Sequence, residues 1–188
     1  MVEIEREFTF LVNQLPANLA DFPSIIIADN YLPADSDHPV LRLRRRGDQY
    51  EITKKYPTDS TDGGQSGDSS RQVEHTIPLD APEYQALATI PGKSFVKRRF
   101  FYEHEGQKCD LDVYLTALSG LVVVDFEFAD DESMQNFQKP DWVGADVTQE
   151  LMIAGGILAG KSYSDLAKHL QEQYNYQPVK NTKQWEEK

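Results

Sequence analysis

Glu3-Ile4-Glu5-Arg6-Glu7-Phe8-Thr9-Phe10 carries an acid or hydroxyl at every odd position and, past Arg6, aromatic groups at the even ones. A strand turns successive side chains to opposite faces, so Glu3, Glu5, Glu7 and Thr9 share one side and Ile4, Phe8 and Phe10 the other. Four more stretches repeat the pattern: Arg42/Arg44/Arg46, Thr53/Lys55, Lys97/Arg99, and Asp125/Glu127 within Val122-Val123-Val124-Asp125-Phe126-Glu127-Phe128. Acids gather on some strands and bases on others. A half-exposed sheet ordinarily mixes its signs, whereas segregated rows point to a concave site that holds cations and a polyanion together.

Alternation and β-branched or aromatic content predict eight strands, at about 2–12, 24–32, 40–46, 49–56, 71–78, 95–105, 108–115 and 120–129. Gly47-Asp48 and Gly106-Gln107 join two pairs of them as hairpins. Helical signals are short and peripheral: Pro16 to Asp21, Pro82 to Thr89 behind Asp80, Glu132 to Gln138, Thr148 to Leu158, and Asp165 to Tyr174 behind Ser164. The expected class is therefore α+β: an eight-stranded antiparallel β-barrel, a tunnel with a charged interior, flanked by short helices. Apolar groups then look outward and need cover, which Leu151, Ile153, Ala154, Ile157 and Leu158 are expected to give.

The 188 residues suit one domain. We expect it to span 1–176, followed by a polar, frayed tail over 177–188. Pro57 to Ser70 is polar and Gly/Ser-rich, hence a surface loop. No apolar run reaches the roughly 20 residues that span a bilayer, and no secretory pattern opens the chain. The single cysteine, Cys109, forms no internal disulfide, so a cytoplasmic setting without membrane association is expected. A net charge of −12 makes nucleic acid an unlikely partner. Seven of the 19 Lys and Arg nevertheless fall in Arg42 to Arg46 and Lys97 to Arg99, which suits a small anion in a pocket. Oligomeric state is not legible.

Crowded carboxylates repel, by roughly 4 kcal/mol for two charges 4 Å apart at an effective dielectric near 20. A divalent ion turns that repulsion into ligation. Glu3, Glu5, Glu74, Asp125 and Glu127 offer oxygen only, without clustered His or Cys, which selects Mg²⁺ or Mn²⁺. Arg42, Arg44, Lys55, Lys97 and Arg99 would ring a chain of phosphates. Arg45, Arg46, Lys54 and Arg98 fall off that set and are read as surface groups. His38, His75, His104 and His169 lack ligand spacing, and Trp142 and Trp185 read as packing and tail residues.

These residues resemble those of the CYTH domain, the triphosphate tunnel metalloenzyme superfamily. Glu3-Ile4-Glu5 resembles the start of its Glu-x-Glu-x-Lys signature, Leu41-Arg42-Leu43-Arg44 its Arg-x-Arg strand, and Ile52-Thr53-Lys54-Lys55 its Thr-x-Lys strand. Val96-Lys97-Arg98-Arg99 resembles its Lys-x-Arg strand, Leu111 to Tyr114 with Gly120 to Phe128 its acidic closing hairpin, and Gly144 to Thr148 a later Gly-x-Glu-Val-Thr segment. The resemblance implies a metal-dependent hydrolase of a small triphosphate-containing substrate: inorganic triphosphate, a nucleoside triphosphate or thiamine triphosphate. Lys97 would neutralise the departing group, and Asp112 and Asp146 would orient water or the metal shell. Three positions depart from the pattern: the signature lysine is Glu7, the fifth strand pairs Gln72 with Glu74, and Gln149-Glu150 follows Thr148 where Arg-Tyr is common. Glu7 leaves three alternatives open: an added metal ligand, a partner for a cation, or a mark of altered or lost activity. A class IV adenylyl cyclase and a non-catalytic polyphosphate binder stand as the competing functions.

Overall fold

In the computed structural model, residues 2–37, 39–59 and 68–186 are described, Val2 and Glu3 by backbone alone. The alternating segments become β1 (Val2–Leu11), β2 (Ser24–Leu32), β3 (Leu41–Arg46), β4 (Gln49–Pro57), β5 (Arg71–Leu79), β6 (Lys93–His104), β7 (Gln107–Tyr114) and β8 (Val122–Glu127). They close in the order β1-β5-β4-β3-β2-β6-β7-β8, every neighbouring pair antiparallel. β1 completes the ring by pairing with β5 through its first half (Glu3 opposite Glu74) and with β8 through its second (Glu7 opposite Glu127). Closure removes the exposed sheet edges that would otherwise template aggregation.

The hairpins turn where glycine allows a left-handed backbone. Gly47 has φ +58°, and Glu105-Gly106, one residue earlier than predicted for the second turn, has φ of 51° and 82°. Two successive positive φ values match the right-handed twist of the strands they join.

The apolar core lies outside the barrel. Phe10, Phe100, Leu111, Val113, Val124 and Phe126, on the outward faces of β1, β6, β7 and β8, are buried. Part of their cover is α4 (Tyr163–Tyr174), which buries Leu166 and Leu170 and is capped by a reciprocal Ser162/Asp165 box. Phe8, Phe10, Phe126, Phe128 and Phe137 stack edge-on or tilted beside α2 (Asp131–Gln135). The opposite wall is thinner. α1 (Ala81–Leu87), capped by Asp80, lays Tyr84 on Tyr50 of β4, while Ile77 of β5 and Ile4 of β1 remain 61% and 49% exposed.

Two expectations need correction. The helix over 148–158 is broken into a 3₁₀ turn (Leu151–Ile153) and the short α3 (Gly155–Leu158), with Ala154 extended between them. A Cβ on Gly155 would stand 2.0 Å from the Tyr31 hydroxyl, so this segment packs backbone-first against β2. Leu151 is 58% exposed instead of covering the sheet. Likewise, residues 177–186 are no frayed tail. Val179 and Trp185 are buried, Trp185 packs 4.9 Å from the Phe100 ring, and the Tyr176 hydroxyl accepts from Val122 N and donates to Gly120 O. The polar composition hid one large aromatic that binds the segment to β6. Residues 60–67 of the predicted loop, His38, and the last two residues of the expected tail lie outside the described residues.

Candidate active site

Parity places the charged rows inside. Glu5, Glu7, Thr9, Arg42, Arg44, Lys55, Glu74, Lys97, Arg99, Asp125 and Glu127 all line one cavity of about 520 Å³ running through the barrel. Asp110, Asp125 and Glu127 also border a second cavity of about 510 Å³ toward Phe22 and Phe101, so the acidic end is approached from both sides. The expected set is thus brought together with three exceptions. The Glu3 side chain is outside the described residues.

Asp112 is wholly buried in the wall beneath the cavity, where it ion-pairs with Lys97 and accepts from Arg99 Nε at 2.8 Å and Nη2 at 2.6 Å. Burial alone would raise its pKa, but the two cations outweigh that and hold Asp112 well below the usual carboxylate range. It does not line the cavity, and its two ion pairs hold Lys97 and Arg99 from below. Asp146 departs further. It lies on an isolated bridge to Phe10, exposed, with Oδ1 accepting from Thr148 N at 2.9 Å and Thr148 Oγ1 at 2.7 Å. That is a local turn contact, and Asp146 is not among the residues that line the cavity, although its neighbours Val147 and Thr148 are.

The bases differ sharply in how far they are neutralised. Arg44 grips Asp29 with two bonds of 2.7 and 2.8 Å. Arg99 reaches Asp110, Asp112 and Asp125. Lys55 bridges Glu5 and Glu7, its ammonium 2.7 Å from Glu7 Oε1. Burial would lower the Lys55 pKa, yet Glu7 and Glu5 override it and keep the ammonium charged. Of the two acids sharing that ammonium, Glu5 is held below its ordinary value, burial being outweighed by Lys55, Arg42 and Arg99. Glu7 is pushed up to about 7, by burial first, with Glu5 and Asp125 adding to it against Lys55. Arg42 is the contrast: its nearest carboxylates, Glu51 and Glu74, stand 3.8 and 3.9 Å away, and its Nε has no hydrogen-bond partner among the described residues.

Several contributors escaped the sequence reading. Asp29 and Tyr31 sit in a β2 run whose Ile25-Ile26-Ile27 masks the alternation, and Asp110 continues the visible Asp-x-Asp of β7. Arg46, expected at the surface, follows the parity of Arg42 and Arg44 into the cavity, its guanidinium 5.5 Å from the Phe101 ring. Arg98, also expected as a surface group, is buried on the outer face and donates from Nε to Trp185 O at 2.9 Å. Glu150, the residue in the departing Gln-Glu pair, lines the cavity mouth and accepts from His169 and Tyr174 at 2.8 and 2.7 Å.

For a hard divalent cation the donor chemistry fits: Glu5, Asp125 and Glu127 present oxygen only. Burial, with Glu5, Asp110 and Glu7 nearby, raises the Glu127 pKa, and burial with Asp112 nearby raises that of Asp125 against Arg99. Carboxylates under mutual repulsion are relieved by a cation. Among the described residues, however, no three acidic, His or Cys groups already stand gathered as a cage. An ion here would share its coordination with water and phosphate, as Mg²⁺ commonly does.

No family model matches the chain. Over 152 residues it is 33% identical to an inorganic triphosphatase of Nitrosomonas europaea, covering 80% of this chain and 91% of that protein. An inorganic triphosphatase of Acetivibrio thermocellus is 28% identical over 147 residues, 78% of this chain and 85% of the other. A crystal structure of an inorganic triphosphatase aligns over 84% of this chain and 95% of its own with a TM-score of 0.58 at 27% identity.

Proposed function

The chain belongs to the CYTH, or triphosphate tunnel, family and is a triphosphatase; on that premise we propose that inorganic triphosphate is its substrate and that Mg²⁺ or Mn²⁺ serves its hydrolysis. Arg42 carries this reading: a guanidinium on the cavity wall whose acids stand off at 3.8 and 3.9 Å, while Arg44, Lys55, Lys97 and Arg99 are each held by a carboxylate at hydrogen-bond distance. A half-buried guanidinium left so is disposed to take a phosphate with two oxygens at once. The two relatives act, by their names, on inorganic triphosphate.

Triphosphate would lie along β3, where Arg42, Arg44 and Arg46 follow one another about 7 Å apart. Lys97 and Arg99, fixed from beneath by Asp112, face it from β6 and accept charge building on the diphosphate leaving group. Glu5, Asp125 and Glu127 would hold the divalent ion, which supplies charge neutralisation and alignment of phosphate oxygens when bound. Water attacks the terminal phosphorus in line and the bond to the bridging oxygen breaks, giving orthophosphate and diphosphate. Because the rows of fixed charge are in place beforehand, the site need not reorganise as charge moves.

The test is a phosphate-release assay across inorganic triphosphate, ATP and thiamine triphosphate with Mg²⁺ and Mn²⁺, with and without chelator. We expect inorganic triphosphate to give the highest kcat/KM and chelation to abolish release. Faster turnover of ATP, cyclic nucleotide as the product, or undiminished activity in chelator would overturn the proposal.

A further inference from the structure

Lys55 occupies an unusual position for a phosphate ligand. Its ammonium lies between carboxylates of β1, paired with Glu5 and 2.7 Å from Glu7 Oε1. The three side chains are 22%, 24% and 17% exposed, so the attraction is little screened by water. In this state the Lys55 ammonium is engaged by Glu5 and Glu7 on the cavity wall. It also stands against Glu5, one of the oxygen donors that suit a divalent cation.

We propose that Lys55 is a displaceable cation of the site: Glu7 and Glu5 hold it while no divalent ion is bound, and a divalent ion taking Glu5 releases it to the substrate's phosphates. This rests on the triphosphatase reading above and adds to it a coupling between the two ligands. A doubly charged ion outcompetes a singly charged ammonium for the same carboxylates. The freed ammonium, on a four-carbon stem rooted beside Thr53 and opposite Glu74 on the cavity wall, is then available to a phosphate oxygen. Metal and triphosphate therefore strengthen each other's binding, by the same factor in either direction. Glu7 is the positioning residue that sets the coupling, for without it Lys55 has one carboxylate to leave instead of two.

A double-mutant cycle read by calorimetry tests this with the full chain. In chelator, inorganic triphosphate should bind wild type and Lys55→Gln with affinities within about twofold of each other, since Lys55 is held elsewhere; it should bind Glu7→Gln about tenfold tighter than the Glu7→Gln/Lys55→Gln double variant. Mn²⁺ alone, followed by loss of its free-ion paramagnetic resonance signal, should bind Lys55→Gln about tenfold tighter than wild type. Should Lys55→Gln misfold, lysine labelled with ¹³C at Cε in wild type reports the same event: Mg²⁺ alone shifts the Lys55 resonance and triphosphate in chelator does not. An equal loss of triphosphate affinity from Lys55→Gln in both backgrounds, weaker Mn²⁺ binding, or a Lys55 resonance that moves with triphosphate alone would each overturn the coupling. Any of these beside intact phosphate release leaves the triphosphatase reading standing, whereas absence of triphosphate binding with and without metal sinks both.

Discussion

The wall built from β6, β7, β8 and β1 and the wall built from β3, β4 and β5 follow the same alternation, yet their charges end in different states. In the first, the outward groups of β6, β7, β8 and the second half of β1 are buried, in part under α4 and the 177–186 segment, and the inward bases Lys97 and Arg99 are tied to Asp110, Asp112 and Asp125. In the second, Ile77 stays exposed outside and Arg42 meets its acids only at 3.8 and 3.9 Å inside. Arg44 and Lys55 of the second wall are paired as tightly as the bases of the first, so the difference between the walls rests on Arg42. A buried ion pair left incomplete is costly, so Lys97 deep in the packed wall keeps Asp112 close, while Arg42 beside the open cavity, with its acids standing off, is left for a ligand.

The largest expected effect attacks the packed wall. Asp112→Ala strands buried Lys97 beside Arg99, which keeps Asp110 and Asp125, and we expect a loss of about 3–5 kcal/mol in urea denaturation. The pH dependence of wild type follows from the same carboxylate. Its folded pKa lies below its unfolded one, so its stabilising contribution is complete above the ordinary Asp pKa of about 4 and fades as pH falls below it. Denaturation midpoints measured between pH 2 and 7 should show that acid limb in wild type and a shallower one in Asp112→Asn. Preserved stability in Asp112→Ala would erase the distinction between the walls.

Trp185→Ala sharpens the comparison from outside. Removal of its contact with Phe100 should cost about 3 kcal/mol, read as a lower denaturation midpoint at an unchanged m-value. Arg42→Ala addresses the thin wall and should separate stability from function. Its distant carboxylates predict a stability change within about 1 kcal/mol, while kcat/KM for triphosphate falls at least about tenfold. Comparable losses in both measurements would make Arg42 structural. The smallest effect belongs to Asp146→Ala, where loss of the Thr148 contacts should cost about 1 kcal/mol with kcat within about threefold of wild type; a collapse of kcat would return Asp146 to the site.

Much of this molecule was legible in its residues. Parity along β1, β3, β4, β6 and β8 assigned the cavity-lining acids and bases, because a strand offers only two faces and one was apolar. Asp29 was hidden by a run of isoleucines, Arg46 by the adjacent Arg45, and the hold of Trp185 by polar neighbours, since each depends on contacts far along the chain. Asp146 was drawn in by motif resemblance and placed outside by a local turn.

Alternation by itself determined that an ionic interior and an apolar exterior must close on each other, as the apolar face demands cover and the ionic face demands company. Which acid meets which base was decided only by the tertiary structure. Glu7 lies 48 positions from Lys55 and Asp29 lies 15 from Arg44, and strand register, set by hydrogen bonds and packing outside the barrel, brings each pair together. Charge attracts without direction over several ångströms, so a row of residues names the candidates and geometry selects the partners.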